Sequence, residues 1–268
     1  FLIEGPLSGK STYIASYRMS YLDIIADAIN ASGGMPSYGD FQAKLEFKPD
    51  IYNTFSILIV NGGSLYDRDI DGAIDVGESD YGKLKNNQNT VGANYKHIWG
   101  NRAYTNTSIS ASIKKSDAHF LNIRSGESVF NIIEDQDVKN LRQVTHLKLM
   151  PETKMEFGFD AGVNETSYDY YRKLTNNQSP ANKIEFDKVV NTTNYAAFLT
   201  LKQNLFSRLI FSAGLRLDHN NYENINLWSP RINLDYEIYK GKTNFIINAG
   251  LYNQNPPPIY IANEASND

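Results

Sequence analysis

The sequence predicts an all-β fold: an antiparallel, up-and-down β-barrel that crosses a membrane with its strands. Three observations predict it. Apolar and polar residues alternate with period two along nearly the whole chain. Short and long connections alternate between these stretches, as in a barrel with short turns at one mouth and long loops at the other. The polar face is too charged to form a dry core.

Composition removes other classes. Over 268 residues the net charge is -4 and the pI about 5.6, so no nucleic-acid partner is expected. Mean hydropathy is -0.45, and no apolar run approaches the roughly 20 residues of a membrane helix. There is no cysteine, which removes disulfide scaffolds, thiolate zinc sites and thiol catalysis.

About twelve segments read as strands: 1–7, 11–21, 40–49, 52–66, 88–98, 102–123, 128–150, 154–171, 189–203, 207–219, 228–239 and 243–254. In the third, Phe41, Ala43, Leu45 and Phe47 alternate with Gln42, Lys44, Glu46 and Lys48. In the eighth, Met155, Phe157, Phe159, Ala161 and Val163 oppose Glu156, Gly158, Asp160, Gly162 and Asn164. The tenth sets Leu209, Phe211, Ala213, Leu215 and Leu217 against Ser212, Gly214, Arg216 and Asp218, and the eleventh sets Ile232, Leu234, Tyr236 and Ile238 against Arg231, Asn233, Asp235 and Glu237. Side chains alternate across a strand, so each has one oily and one hydrated face. Short connections fall at 5–10, 49–51, 99–101, 151–153, 204–206 and 240–242. Longer ones fall at 22–39, 67–87, 172–188 and 220–227, with a hairpin tip near Ser125-Gly126. A Greek-key sandwich has no reason to alternate loop lengths in this way. Twelve segments also exceed the eight of a small ligand-holding barrel. Within the first long loop, Leu22, Ile25, Ala26 and Ile29 fall at helical spacing, which predicts a short amphipathic helix over 21–31 packed on the rim.

Several stretches resemble the barrels of TonB-dependent outer-membrane receptors, closest to the group with a carboxypeptidase-like domain ahead of the plug. The opening Phe1-Leu2-Ile3-Glu4-Gly5-Pro6-Leu7 with 11–23 resembles an early barrel hairpin with its Glu-Gly-Pro turn. Residues 38–59 and 94–108 are similar to the next two strand pairs. Ser229-Pro230-Arg231-Ile232-Asn233-Leu234-Asp235-Tyr236, followed by 243–258, resembles the family's Ser-Pro-Arg hairpin. The resemblance implies that residues 1–268 are part of one barrel domain, about 12 strands of 22, with plug and terminal strands lying outside. It also implies TonB-dependent uptake of a scarce bulky solute, such as an iron chelate, vitamin, glycan or peptide, across a Gram-negative outer membrane. The chain would be the wall and extracellular loops, with outer-membrane lipid around it, the TonB complex reached through the plug, and a surface lipoprotein as a further partner. No catalysis is expected. A non-energised barrel or adhesin with ligand-binding loops is the alternative.

One local pattern suggests a metal. Residues 67–78 match a twelve-residue calcium loop at most ligand positions. Asp67, Asp69, Asp71, the carbonyl of Ala73 and bidentate Glu78 would wrap one Ca²⁺, with Asp75 holding a water and Gly72 making the sharp turn. Ile70, where such loops are polar, and the strand flanks depart from the pattern. The other reading is a solvated acidic loop or a strand tip at Asp71-Gly72. His97, His119, His146 and His219 lie at no zinc-binding spacing. Tyr95, Trp99, Tyr104, Tyr236 and Tyr239 are expected in a periplasmic girdle, and Tyr13, Tyr17, Tyr21, Trp228 and Tyr252 in the outer girdle or rim. The run from Tyr168 to Arg172 would pack at the rim or stack on a ligand.

Overall fold

The computed structural model of the chain describes residues 1–21, 34, 36–174, 183–222 and 224–264. Twelve strands form one open antiparallel sheet in which sequence order is spatial order, with the first and last strands as its edges. The strands are β1 (Leu2–Ser8), β2 (Ser11–Met19), β3 (Ser37–Phe47), β4 (Asn53–Arg68), β5 (Asp80–Ile98), β6 (Ala103–Asn122), β7 (Ser128–Met150), β8 (Thr153–Lys173), β9 (Lys183–Leu205), β10 (Leu209–Asn220), β11 (Ile225–Tyr239) and β12 (Thr243–Gly250). Two short helices, α1 (Ile70–Asp75) and α2 (Pro258–Glu264), complete the described elements.

Register carries the sequence alternation across the sheet. Tyr13 pairs with Leu45, Leu45 with Ile57, Ile57 with Ala93, Ala93 with Ile109, Ile109 with Leu141, and Leu141 with Ala161. Paired residues point the same way, so the apolar positions merge into one stripe. That stripe is left bare: Ile57, Ile109, Leu199, Ile232 and Phe245 are each about half exposed. A face this apolar, unpaired with any second layer, calls for an apolar solvent.

The short turns are held by their own side chains. At the β3–β4 turn the Asp50 carboxylate accepts the backbone N–H of Tyr52 (2.7 Å) and of Asn53 (2.9 Å). At the opposite mouth the β6–β7 tip turns on Asn122, whose side-chain oxygen accepts the N–H of Arg124 and Ser125.

The twelve expected segments are twelve strands, but their long-loop ends reach further than the pattern indicates. β5 begins at Asp80, not 88, and β9 at Lys183, not 189. The β5 extension is polar or mixed on both faces and carries no period-two signal, whereas the β9 extension does alternate, with Ile184 and Phe186 between Lys183, Glu185 and Asp187. At about 3.3 Å per residue and a tilt of about 40°, the 23 residues of β7 or β9 rise about 58 Å. The apolar band of such barrels is about 25 Å tall, so the tops stand well above the lipid. The last segment ends early: β12 stops at Gly250, and the chain folds back onto the polar face through 251–257 into α2, which the sequence reading does not anticipate. The helix expected over 21–31 lies, after Tyr21, outside the described residues.

Candidate functional site

The lumen wall is the polar face, and its middle is an ion network. Asp160 on β8 meets Arg216 on β10 at 2.7 Å and Arg142 on β7 at 3.5 Å. Arg216 also holds Asp218, one residue pair up its own strand, at 2.9 Å. The Phe198 ring lies between the two guanidinium groups, 5.5 Å from that of Arg142 and 5.9 Å from that of Arg216. Gly158 makes room for this ring: a Cβ there would meet Phe198 Cζ at 2.8 Å and the Gln143 carbonyl oxygen at 2.1 Å. Alternating cations and anions give a hydrated surface with local charge balance.

Above the network the lumen face turns aromatic. Phe120, Phe130, Tyr170, Phe186 and Tyr168 form a chain of ring contacts across β6 to β9, the tightest being Tyr170 on Phe186 at 4.9 Å and 10°. α2 lies on one side of this shelf and buries Ile261 and Ala262 against Tyr168, Phe186 and Val190. The segment leading to it is tied down by amides: Asn253 donates to the Trp228 carbonyl and the Ser229 hydroxyl, and Asn255 donates to Asn194 Oδ1. Of the Tyr168–Arg172 run, Tyr168 and Tyr170 lie on the lumen face and pack in this shelf.

On the lipid face, near the short turns, Phe47, Phe55, Tyr95, His97 and Trp99 form a ring ladder with centroid spacings of 6.5, 4.6, 6.0 and 4.3 Å. Tyr95 and Trp99 thus stand in the expected girdle. Tyr104 does not: it shares the lumen face with His146, stacked at 4.5 Å, because Thr105 takes the outward position. Of the girdle and rim positions expected for Tyr252, the girdle is not taken, since its ring lies under the Arg231 guanidinium at 4.7 Å.

The expected calcium loop is folded as the α1 turn. Asp69 is its N-cap and accepts the Gly72 N–H at 2.8 Å, and Gly77, at φ +73°, ends it in the left-handed conformation. Asp67 pairs with Lys83 at 2.8 Å, Glu78 with Arg68 at 3.4 Å, and the Ala73 carbonyl accepts the Glu78 N–H. Asp71 and Asp75 stand in the first turn and at the end of the helix. The donors do not converge in this fold, and among the described residues no group of three ligating side chains forms. The histidines are likewise separate: His97 contacts Asn53, His119 Asn131, His146 Glu156 and His219 Asn226.

A sequential antiparallel wall, bare and apolar outside and charge-balanced inside, defines an outer-membrane β-barrel. The family model for the TonB dependent receptor-like β-barrel matches residues 20–252, and the chain belongs to that family. Its fold is similar to the siderophore receptor PirA from Pseudomonas aeruginosa, with a TM-score of 0.61 and 12% identity over 93% of this chain and 37% of that one. It is similar to P. aeruginosa FpvA bound to heterologous pyoverdines, with a TM-score of 0.64 and 13% identity over 89% of this chain and 38% of that one. It is also similar to the RagAB peptide transporter, with a TM-score of 0.56 and 9% identity over 87% of this chain and 33% of that one. The chain thus spans well under half the length of each of these structures. No curated protein matches it.

Proposed function

We propose that this chain is part of the wall and extracellular rim of a TonB-dependent transporter, which takes up a bulky solute across the outer membrane with energy supplied through TonB. The observation that carries the reading is the lumen face, whose mid-height charges are neutralised in place by Asp160, Arg142, Arg216 and Asp218. A wall of this kind keeps water and polar protein inside a wide barrel while lipid stays outside. Barrels of 22 strands have a plugged lumen, so passage through them requires a trigger. Similar structures include those of a siderophore receptor and a peptide transporter, which supports a bulky solute.

The test uses the full-length receptor in outer-membrane vesicles and the purified periplasmic domain of TonB. Capture of the receptor by that domain is the expected result. Absence of capture, together with a steady ion conductance through the reconstituted receptor, would instead support a non-energised barrel.

A further inference from the structure

The wall carries a cavity of about 730 Å³ on its outer face, where α1 leans over β4, β5 and β6. Its strand positions have the parity of the lipid-facing ones. Leu65 continues Ile57 and Ile59 on β4, Lys85 continues Ala93 and Val91 on β5, and Asp117 continues Ile109 and Ile113 on β6. The cavity therefore opens outward and not into the lumen. Its height follows from β4. Leu65 lies ten residues above Phe55, a ring of the girdle ladder near the short turns. At about 3.3 Å per residue and a tilt of about 40°, that is about 25 Å, the full height of the apolar band. The cavity begins where acyl chains end and headgroups start.

Several of the charges around it are already engaged. Lys83 meets Asp67 at 2.8 Å, Asp69 caps α1 through the Gly72 N–H, and the His119 ring contacts Asn131. Lys85, Asp117 and Asp71 also line the cavity, and among the described residues they meet no opposite charge. Lys85 sits directly opposite Asp117 in register, yet the two form no ion pair. One cation and two carboxylates, side by side and separate, match a group that carries both signs. A phosphate would take Lys85, and an ammonium beside it would take Asp117, with Asp71 above. A purely anionic headgroup would leave both carboxylates unanswered and be repelled by them. Ile70, Tyr81 and Leu121 add apolar surface above these charges, which limits water there and strengthens the contacts. Leu65, below them, joins the cavity to the acyl region.

We propose that this outer-face cavity binds the headgroup of an outer-leaflet lipid bearing phosphoethanolamine, with Lys85 on its phosphate and Asp117 on its ammonium. The membrane brings the ligand to the height of the cavity, so a modest affinity suffices for occupancy. Nothing in this site depends on what passes through the lumen.

Native mass spectrometry of the full-length receptor in dodecyl maltoside tests it, with phosphatidylethanolamine and phosphatidylglycerol of matched chains added at equal concentration. Phosphatidylethanolamine should be retained about ten-fold more strongly, the worth of one charge-assisted contact. Lys85→Gln and Asp117→Asn should each weaken that retention about ten-fold. Lys115→Gln, outward on the same wall but outside the cavity lining, should leave it unchanged. Equal retention of phosphatidylglycerol, or retention that survives both cavity substitutions, would overturn the site. Water-soluble phosphoethanolamine binding as strongly as the lipid would overturn the membrane origin of the ligand. TonB capture is a separate readout, so either result can fail without the other.

Discussion

On β8 near the turn, Phe157 and Phe159 point outward while Asp160 points into the lumen; ten residues higher, Asp169 points outward and Tyr168 and Tyr170 point in. The same inversion runs across the neighbours. Outward Ile109 and Leu141 at lipid height give way above to outward Lys115, Asp135, Asp137 and Lys139, paired at 3.3 Å (Lys115–Asp135) and 3.0 Å (Lys139–Asp137). Inward Arg142 gives way to Ile132 and Phe130. Register does not slip between the two heights, so the change lies in residue choice alone. The strand has two solvents, lipid then water outside, and its inner face changes from a hydrated channel to a surface that α2 packs against.

Charges placed outward at the two heights should separate the regions most sharply. Phe159→Lys puts an ammonium in the apolar band and should cost about 2–4 kcal/mol, whereas Val189→Lys, outward but high on β9, should cost about 0–1 kcal/mol. Reversible urea unfolding of the full-length receptor in phospholipid vesicles measures both. Next comes the shelf. Phe186→Ala removes a buried ring that touches Tyr168, Tyr170 and α2. It should cost about 2 kcal/mol, below the full-core figure because part of its surroundings can relax, and should expose 251–264 to limited proteolysis. In the lower lumen, Arg216→Gln should cost about 1 kcal/mol, since water reaches the Asp160 and Asp218 it leaves behind.

Two smaller effects test the ends. The Asn53 side-chain amide, then the Tyr52 N–H, hold Asp50 below its ordinary pKa of 3.8. A lowered folded-state pKa makes the turn's contribution fully present above 3.8 and lost as pH falls through the lower folded value. The Tyr52 amide resonance should shift in that acid range, and Asp50→Asn should abolish the shift. At the other mouth, millimolar calcium should leave hydrogen exchange over 67–78 unchanged, because Asp67, Asp69 and Glu78 are already engaged with Lys83, Gly72 and Arg68. New protection would mean that α1 gives way to a loop wrapped around the ion.

The lower wall was legible in the sequence because one solvent contrast, lipid against water, writes a period-two pattern on every strand. That pattern located all twelve strands and the Tyr95–Trp99 part of the girdle. The upper wall was not legible, since polar and mixed faces such as Asp80–Gln88 give no alternation. Tyr104 was misplaced because chain distance from a turn does not reveal which face a ring takes; a register count from Tyr95 would have. The Asp160–Arg216 contact joins residues 56 apart, and α2 docks on strands far upstream, so neither leaves a local signal. The acidic 67–78 motif was visible, but the cap and the two ion pairs that occupy it depend on where Lys83 and Arg68 arrive.

Because the chain has no cysteine, single cysteines at each position from 155 to 163 except Gly158, where a Cβ does not fit, can be introduced, spin-labelled in the full-length receptor and read for collision with oxygen and with a water-soluble nickel chelate. Labels at 155, 157, 159, 161 and 163 should favour oxygen and those at 156, 160 and 162 the chelate. Equal accessibility along the strand, or the opposite phase, would contradict the assignment of the apolar face to lipid.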